Sequence, residues 1–278
     1  THTHTHTHTQ QRRWDSWGEL VEPVFANQPL MTLPGNHEIE QYGPAPATQE
    51  KFLAYQKRFR MPAKESGATN GNLYYSFNAG PAHLVMLNSY MPFAQGSEQY
   101  AWLEKDLKSV DRTVTPWLFV SMHAPWYNSN AAHHDESEET GMRAAMETLL
   151  YTHKVDAVFS GHVHAYERMY PVYQNHTNPE APTYLNIGDG GNREGPAFVY
   201  LQQPSWSAYR EPAFGHASMQ IHNATHAHWE WHKNSEQEST VSDDVWLVRQ
   251  ASLDTPYRHG LAHLYGREFD GFAPFKAF

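Results

Sequence analysis

Val155-Asp156-Ala157-Val158-Phe159-Ser160-Gly161-His162-Val163-His164 is the stretch whose reading decides the architecture of this chain. Its first six residues are a short apolar run of strand length, and the His-x-His lies just past the strand's end. A His-x-His by itself says little, because alternate residues of any extended segment share a face. The same arrangement recurs upstream. Residues 117–122 read as a strand that delivers His123-Ala124-Pro125-Trp126, and residues 30–33 as a short buried strand ahead of Gly35-Asn36-His37-Glu38. Three strand ends thus carry three metal-ligand motifs in order, and α/β folds place their sites at the carboxyl ends of strands.

Working outward, Trp14, Trp17, Leu20, Val21, Val24 and Phe25 are spaced by three and four, which predicts an amphipathic helix over 11–27. Further helices are expected over 48–59, over 97–110 with Ser97 as its cap, and over 142–152. Strands are expected at 73–77, 83–88, 184–187, 218–222, 225–232 and 245–249. Beyond residue 183 the pattern is mostly strand. The fold class is α/β with an antiparallel-rich second half.

At 278 residues with 40% hydrophobic and 14% aromatic content, the chain has the composition of a folded globular protein, read here as one domain. Twenty Lys and Arg stand against thirty Asp and Glu, a formal charge of −10, and no basic stripe is present to track a nucleic-acid backbone. A nucleic-acid partner is not expected. Cysteine is absent, which excludes disulfides and thiolate metal sites. No run is long and apolar enough to span a membrane. The sequons Asn175-His176-Thr177 and Asn223-Ala224-Thr225 make Asn175 and Asn223 candidate glycosylation sites and point to a secreted, extracellular protein.

Asn36, His123, His162 and His164 offer one amide oxygen and three imidazoles. Such donors suit one side of a pair of cations that clamps a phosphate ester, a pair that also needs a bridging carboxylate. With the stretches Trp14-Asp15-Ser16-Trp17, Asn72-Leu73-Tyr74-Tyr75-Ser76-Phe77, His123 to Asn130, 161–168 and 188–195, the chain resembles a plant-type purple acid phosphatase, within the calcineurin-like metallophosphoesterases. The resemblance implies a metallophosphoesterase-type β-sandwich flanked by helices, holding Fe(III) with Zn, Mn or Fe(II), that hydrolyses phosphate monoesters. It makes Asn36, His123 and His162 ligands of the divalent ion and His164 a ligand of the iron. It makes His37 and His133 the catalytic histidines that hold phosphate and protonate the leaving group, with His134 beside His133 as a substitute. The resemblance also calls for acidic ligands on strands before Trp14, which here are missing or replaced by the Thr/His run.

The expected organisation is a Thr/His strand over 1–9, a purple-acid-phosphatase-like catalytic domain over 10–250, incomplete at its N-terminal side, and an aromatic tail over 251–278. The strict alternation of Thr1 to Thr9 puts its four histidines on one face of an extended strand. Two readings stand for it: a cloning tag or a placeholder for unassigned residues, or a strand that pairs with an open sheet edge or another copy. The second reading, with the tail, gives an alternative function: a non-catalytic structural subunit of an extracellular assembly or fibre. Elsewhere, Asp243-Asp244 reads as a solvated turn. Glu167 and Arg168 read either as groups that orient the His-x-His or as a surface ion pair. The alternation of His226, His228, Glu230 and His232 reads first as a half-buried strand and only remotely as a second metal site.

Overall fold

Strands buried on both faces need continuous apolar sequence, and the runs flanking the histidine motifs supply it. In a computed structural model, residues 11–39, 51–234 and 239–249 and the backbone of 275–277 are described. The chain runs α1 (Gln11–Phe25), α2 (Leu53–Arg58), β1 (Tyr75–Ala79), β2 (Ala82–Met86), α3 (Glu98–Ser109), β3 (Trp117–Met122), α4 (Ser137–Thr152) and β4 (Ala157–Ser160). It continues as β5 (Tyr166–Met169), β6 (Val172–Tyr173), β7 (His176–Thr177), β8 (Thr183–Ile187), β9 (Ser207–Glu211), β10 (Gly215–Ile221), β11 (His226–Asn234), β12 (Ser239–Val248) and β13 (Phe275–Ala277).

Among the described residues, the larger sheet has the order β1-β2-β3-β4-β8-β5-β9 and the smaller the order β12-β11-β10-β13. β2, β3, β4 and β8 are parallel neighbours, while β1, β5 and β9 are antiparallel at the two margins. Helices α3 and α4 make the crossovers into β3 and β4. Their apolar faces, with Trp102, Leu103, Leu107, Met142, Met146 and Leu150, pack on Val85, Leu118, Val120 and Val158 of one sheet face. The opposite face, with Trp117, Phe119, Ala157, Tyr166 and Leu185, packs on Met219, Ile221, Trp229, Trp231 and Leu247 of the smaller sheet. The result is the sandwich flanked by helices that the sequence led us to expect.

Ser97 caps α3 as expected, its hydroxyl accepting from the Tyr100 N–H at 3.2 Å. Three readings are corrected. Residues 30–33 join no ladder; Met31 and Leu33 pack on Tyr75 and Met86, and the Thr32 carbonyl accepts from the Tyr75 hydroxyl at 2.6 Å. Asp243 and Asp244 lie within β12, and Asp243 is buried rather than solvated. Arg168 does not orient histidines. It donates to both Asp243 oxygens, at 2.7 and 2.9 Å, the two-pronged geometry that makes an Arg–carboxylate pair strong. Tyr166 donates to the same carboxylate at 2.7 Å and stacks on Trp231. Buried Glu167 accepts from Ser129 and Ser207. The Thr/His run and most of the aromatic tail lie outside the described residues, as does the start of the helix expected over 48–59. β13 adds to the edge of the smaller sheet on β10.

Candidate metal centre

β3 and β4 run in parallel with Met122 opposite Ser160, so the residues that follow them, His123 and Gly161-His162, leave the sheet side by side. The Gly161 N–H donates to the His123 carbonyl at 2.9 Å and fastens the two loops together. His162 then sits at φ +64°, inside a three-residue turn closed by the Val163 N–H on the Gly161 carbonyl at 2.7 Å. A histidine in the left-handed region is strained, and such backbone persists where the surroundings enforce it. Gly188, at the end of β8, is part of that enforcement. A Cβ there would lie 2.2 Å from the Val163 carbonyl oxygen, so only glycine lets the loop pack against β8.

The third motif arrives on a short 3-10 turn, Asn36–Glu38. Glu38 accepts from the Gly35 N–H at 2.7 Å, and a Cβ on Gly35 would lie 2.7 Å from the His123 ring. Asn36 is thereby brought over His123. Asn36 Oδ1 lies 3.0 Å from His123 Nε2, which lies 3.2 Å from His162 Nδ1. His123 Nε2 is thus flanked by an amide oxygen and a second imidazole nitrogen that lie 87 and 39 residues away in sequence. Burial, followed by the neighbouring imidazoles of His162, His37, His133 and His164, pushes His123 down to about 3 and keeps it neutral. Burial also lowers His162 and His164. Neutral imidazole is the form that coordinates a cation.

The far nitrogen of His162, Nε2, lies 2.9 Å from Glu136 Oε2, and Glu136 Oε1 lies 2.9 Å from His133 Nδ1. Burial raises Glu136, but the bonds to His162 and His133 outweigh it and hold the carboxyl below its ordinary range. One carboxylate therefore orients two imidazoles. A carboxylate on the outer nitrogen of a ligating histidine fixes its tautomer and strengthens it as a donor. Glu136 is the N-cap residue of α4, yet its side chain makes no cap. Its place in the run Asp135-Glu136-Ser137-Glu138-Glu139 hid it from sequence reasoning, since such a run resembles the acidic first turn of any helix. Tyr90, whose ring lies 5.9 Å from that of His123, was also missed.

Of the remaining expected residues, His133 packs on His162 with ring centroids 3.8 Å apart, at φ +55°. His134 pairs with Asp135 at 3.4 Å instead, so His133 is the member of the pair that joins the cluster. His37 is exposed and lines, with His164, Glu194 and Arg193, a cavity of about 600 Å³ bounded by Trp14 and Trp17 of α1. His164 Nδ1 faces Glu194 at 3.9 Å. Asn175 is exposed at the β6–β7 turn, whereas the Asn223 side-chain oxygen accepts from Thr225 and His226.

The donor set fits a divalent ion on the Asn36, His123 and His162 side. Donors about 3 Å apart are what atoms each about 2.0–2.2 Å from one ion present. On the neighbouring side, His164 is the ligand expected from sequence. A three-residue set of His133, Glu136 and His162 also has its donor atoms within 4.8 Å of one another, but there Glu136 already bonds both imidazoles.

Known proteins resemble this chain in sequence and in fold. The calcineurin-like phosphoesterase family matches residues 3–166, and the family described as iron/zinc purple acid phosphatase-like protein C matches 181–244. The probable purple acid phosphatase 20 of Arabidopsis thaliana is 51% identical over 86% of this chain and 55% of its own length. The phosphoenolpyruvate phosphatase of Allium cepa is 44% identical over 86% of this chain and 51% of its own length. The chain thus spans about half the length of these relatives. A purple acid phosphatase from yellow lupin (Lupinus luteus) seeds superposes with a TM-score of 0.73 at 27% identity, over 85% of this chain and 43% of that one. None of these relatives favours the structural-subunit alternative. Fold, motif order and kinship agree that the chain belongs to the calcineurin-like phosphoesterases and, within them, to the plant-type purple acid phosphatases.

Proposed function

We propose that this chain forms the histidine side of a dinuclear centre that hydrolyses phosphate monoesters. The convergence of Asn36 Oδ1, His123 Nε2 and His162 Nδ1 carries the reading. These residues would hold a divalent Zn, Mn or Fe(II) ion, and His164 would contribute to an adjoining Fe(III) position. When bound, the ions polarise the phosphoryl group and make water acidic enough to supply the nucleophile. The chain's own residues do the rest. His37 stands at the cavity and meets the phosphate oxygens. His133 presents Nε2 with its other nitrogen on Glu136, and from Nε2 it delivers the proton that the leaving alkoxide needs. The name of the onion relative supports a phosphate monoester as substrate. Secretion, with a glycan at exposed Asn175, is part of the same proposal, and no described helix is long and apolar enough to cross a membrane.

The experiment is metal analysis by elemental mass spectrometry on natural material, paired with hydrolysis of p-nitrophenyl phosphate at mildly acidic pH. The expected result is iron plus a second metal, with metal and hydrolysis both lost in His123→Ala. A natural protein that carries no metal and hydrolyses nothing would contradict the reading.

A further inference from the structure

The smaller sheet turns its second face away from the larger one, and strand alternation loads that face with imidazoles and carboxylates. On β11, His228 and Glu230 are two residues apart and share it. On β12, Asp244 is the direct cross-strand partner of Glu230, and Trp246 that of His228. Two carboxylates directly opposite each other across a strand pair repel, and such placement is destabilising unless a cation intervenes. Here the compensation is partial. His228 Nε2 lies 2.6 Å from Asp244 Oδ1, while half-buried Glu230 has no hydrogen bond or ion pair among the described residues. Trp246 stacks on the His228 ring, with centroids 4.7 Å apart and planes 19° from parallel, and so sets the direction of its nitrogen. One donor atom from each of His228, Glu230 and Asp244 lies within 4.8 Å of the others.

We propose that His228, Glu230 and Asp244 form a separate binding site for a divalent cation of the zinc class, which ties β11 to β12. One imidazole with two carboxylate oxygens, and no thiolate, is a donor set that borderline transition ions accept and that leaves a position for water. The imidazole favours such an ion over calcium or magnesium, which take oxygen alone. The site supplies a countercharge that Glu230 does not find among the described residues. It faces away from the sheet that carries His123 and His162, so its role is to stabilise the sandwich.

Equilibrium dialysis of the chain against Zn²⁺ tests this, with Glu230→Gln and Asp244→Asn as separate variants and His123→Ala as the control for the other centre. Each of the first two variants should bind one zinc equivalent fewer than the unsubstituted chain. The loss should add to that of His123→Ala in the double variant. Zinc should also raise the thermal unfolding temperature of the His123→Ala chain, and Glu230→Gln should remove that rise. Both variants alter polar groups away from the core, and far-ultraviolet circular dichroism checks that they fold. An unchanged zinc count in both folded variants overturns the proposal, as does a zinc-induced rise that survives Glu230→Gln.

Discussion

In the parallel half of the larger sheet, β3 and β4 end in strained backbone, with His162 at φ +64° and the nearby His133 and Asp135 at +55° and +60°. In the antiparallel half, β5 meets β11 and β12 through a hydrogen-bonded network of Tyr166, Arg168, Trp229 and Asp243. The two regions use charged and aromatic side chains of the same kinds for different ends. At the strand ends, the chain accepts backbone strain and leaves donor atoms facing one another, so that they converge on a shared point. Across the sandwich, Asp243 accepts from Tyr166 and from two nitrogens of Arg168 while Trp229 donates to Tyr166, and the network ties the two sheets together. Three of the seven described non-glycine residues at positive φ, His133, Asp135 and His162, lie at the candidate site, whereas the scaffold is marked by its pairing.

The sharpest way to break this contrast is to remove His133. His133→Ala should cost about 10² to 10⁴ in the turnover of a phosphate monoester, as loss of a general acid does, while His134→Ala should cost little. Equal losses would show that the packing of His133 on His162 has no part in the chemistry. Next is the scaffold. Asp243→Ala leaves Arg168 unpaired and largely buried and should lower unfolding stability by about 3–5 kcal/mol in a denaturant titration, without changing metal affinity. A loss of metal in that variant would mean the two regions are not separable.

Smaller in effect, Glu136→Gln should weaken metal binding about 10- to 100-fold, since Glu136 acts through His162 rather than on the ion. Isothermal titration with Zn²⁺ reads this directly. The smallest effect concerns the opposite end of the parallel strands. There burial, opposed by Arg112 and the Leu118 N–H, raises Asp156 to about 6. A carboxyl raised on folding binds its proton more tightly in the folded chain. Its contribution is therefore fully present below 3.8 and is lost as pH rises through about 6. Asp156→Asn should flatten that part of the stability profile, by an amount on the order of 1 kcal/mol.

What could be read in advance follows the same division. β3 and β4 were legible because strands buried on both faces must be continuously apolar, and the motifs at their ends were legible because they are local in sequence. β5 and β9 were not. Tyr166-Glu167-Arg168-Met169 and Ser207-Ala208-Tyr209-Arg210-Glu211 carry charges into a sheet, which periodicity alone reads as exposure. Only partners far along the chain make those charges tolerable, as with Arg168 and Asp243, 75 residues apart. Asp243 was misread for that reason. Glu136 was hidden differently: its neighbours are acidic, and nothing local separates the one carboxylate that turns toward two imidazoles from those that face water.

Whether Asn36, His123 and His162 share one ion is decided by diffraction from zinc-loaded crystals at the zinc absorption edge. We expect an anomalous peak between Asn36 Oδ1, His123 Nε2 and His162 Nδ1, with Glu136 still on the outer nitrogen of His162. A peak between His133, Glu136 and His162, with none beside Asn36, would contradict that expectation.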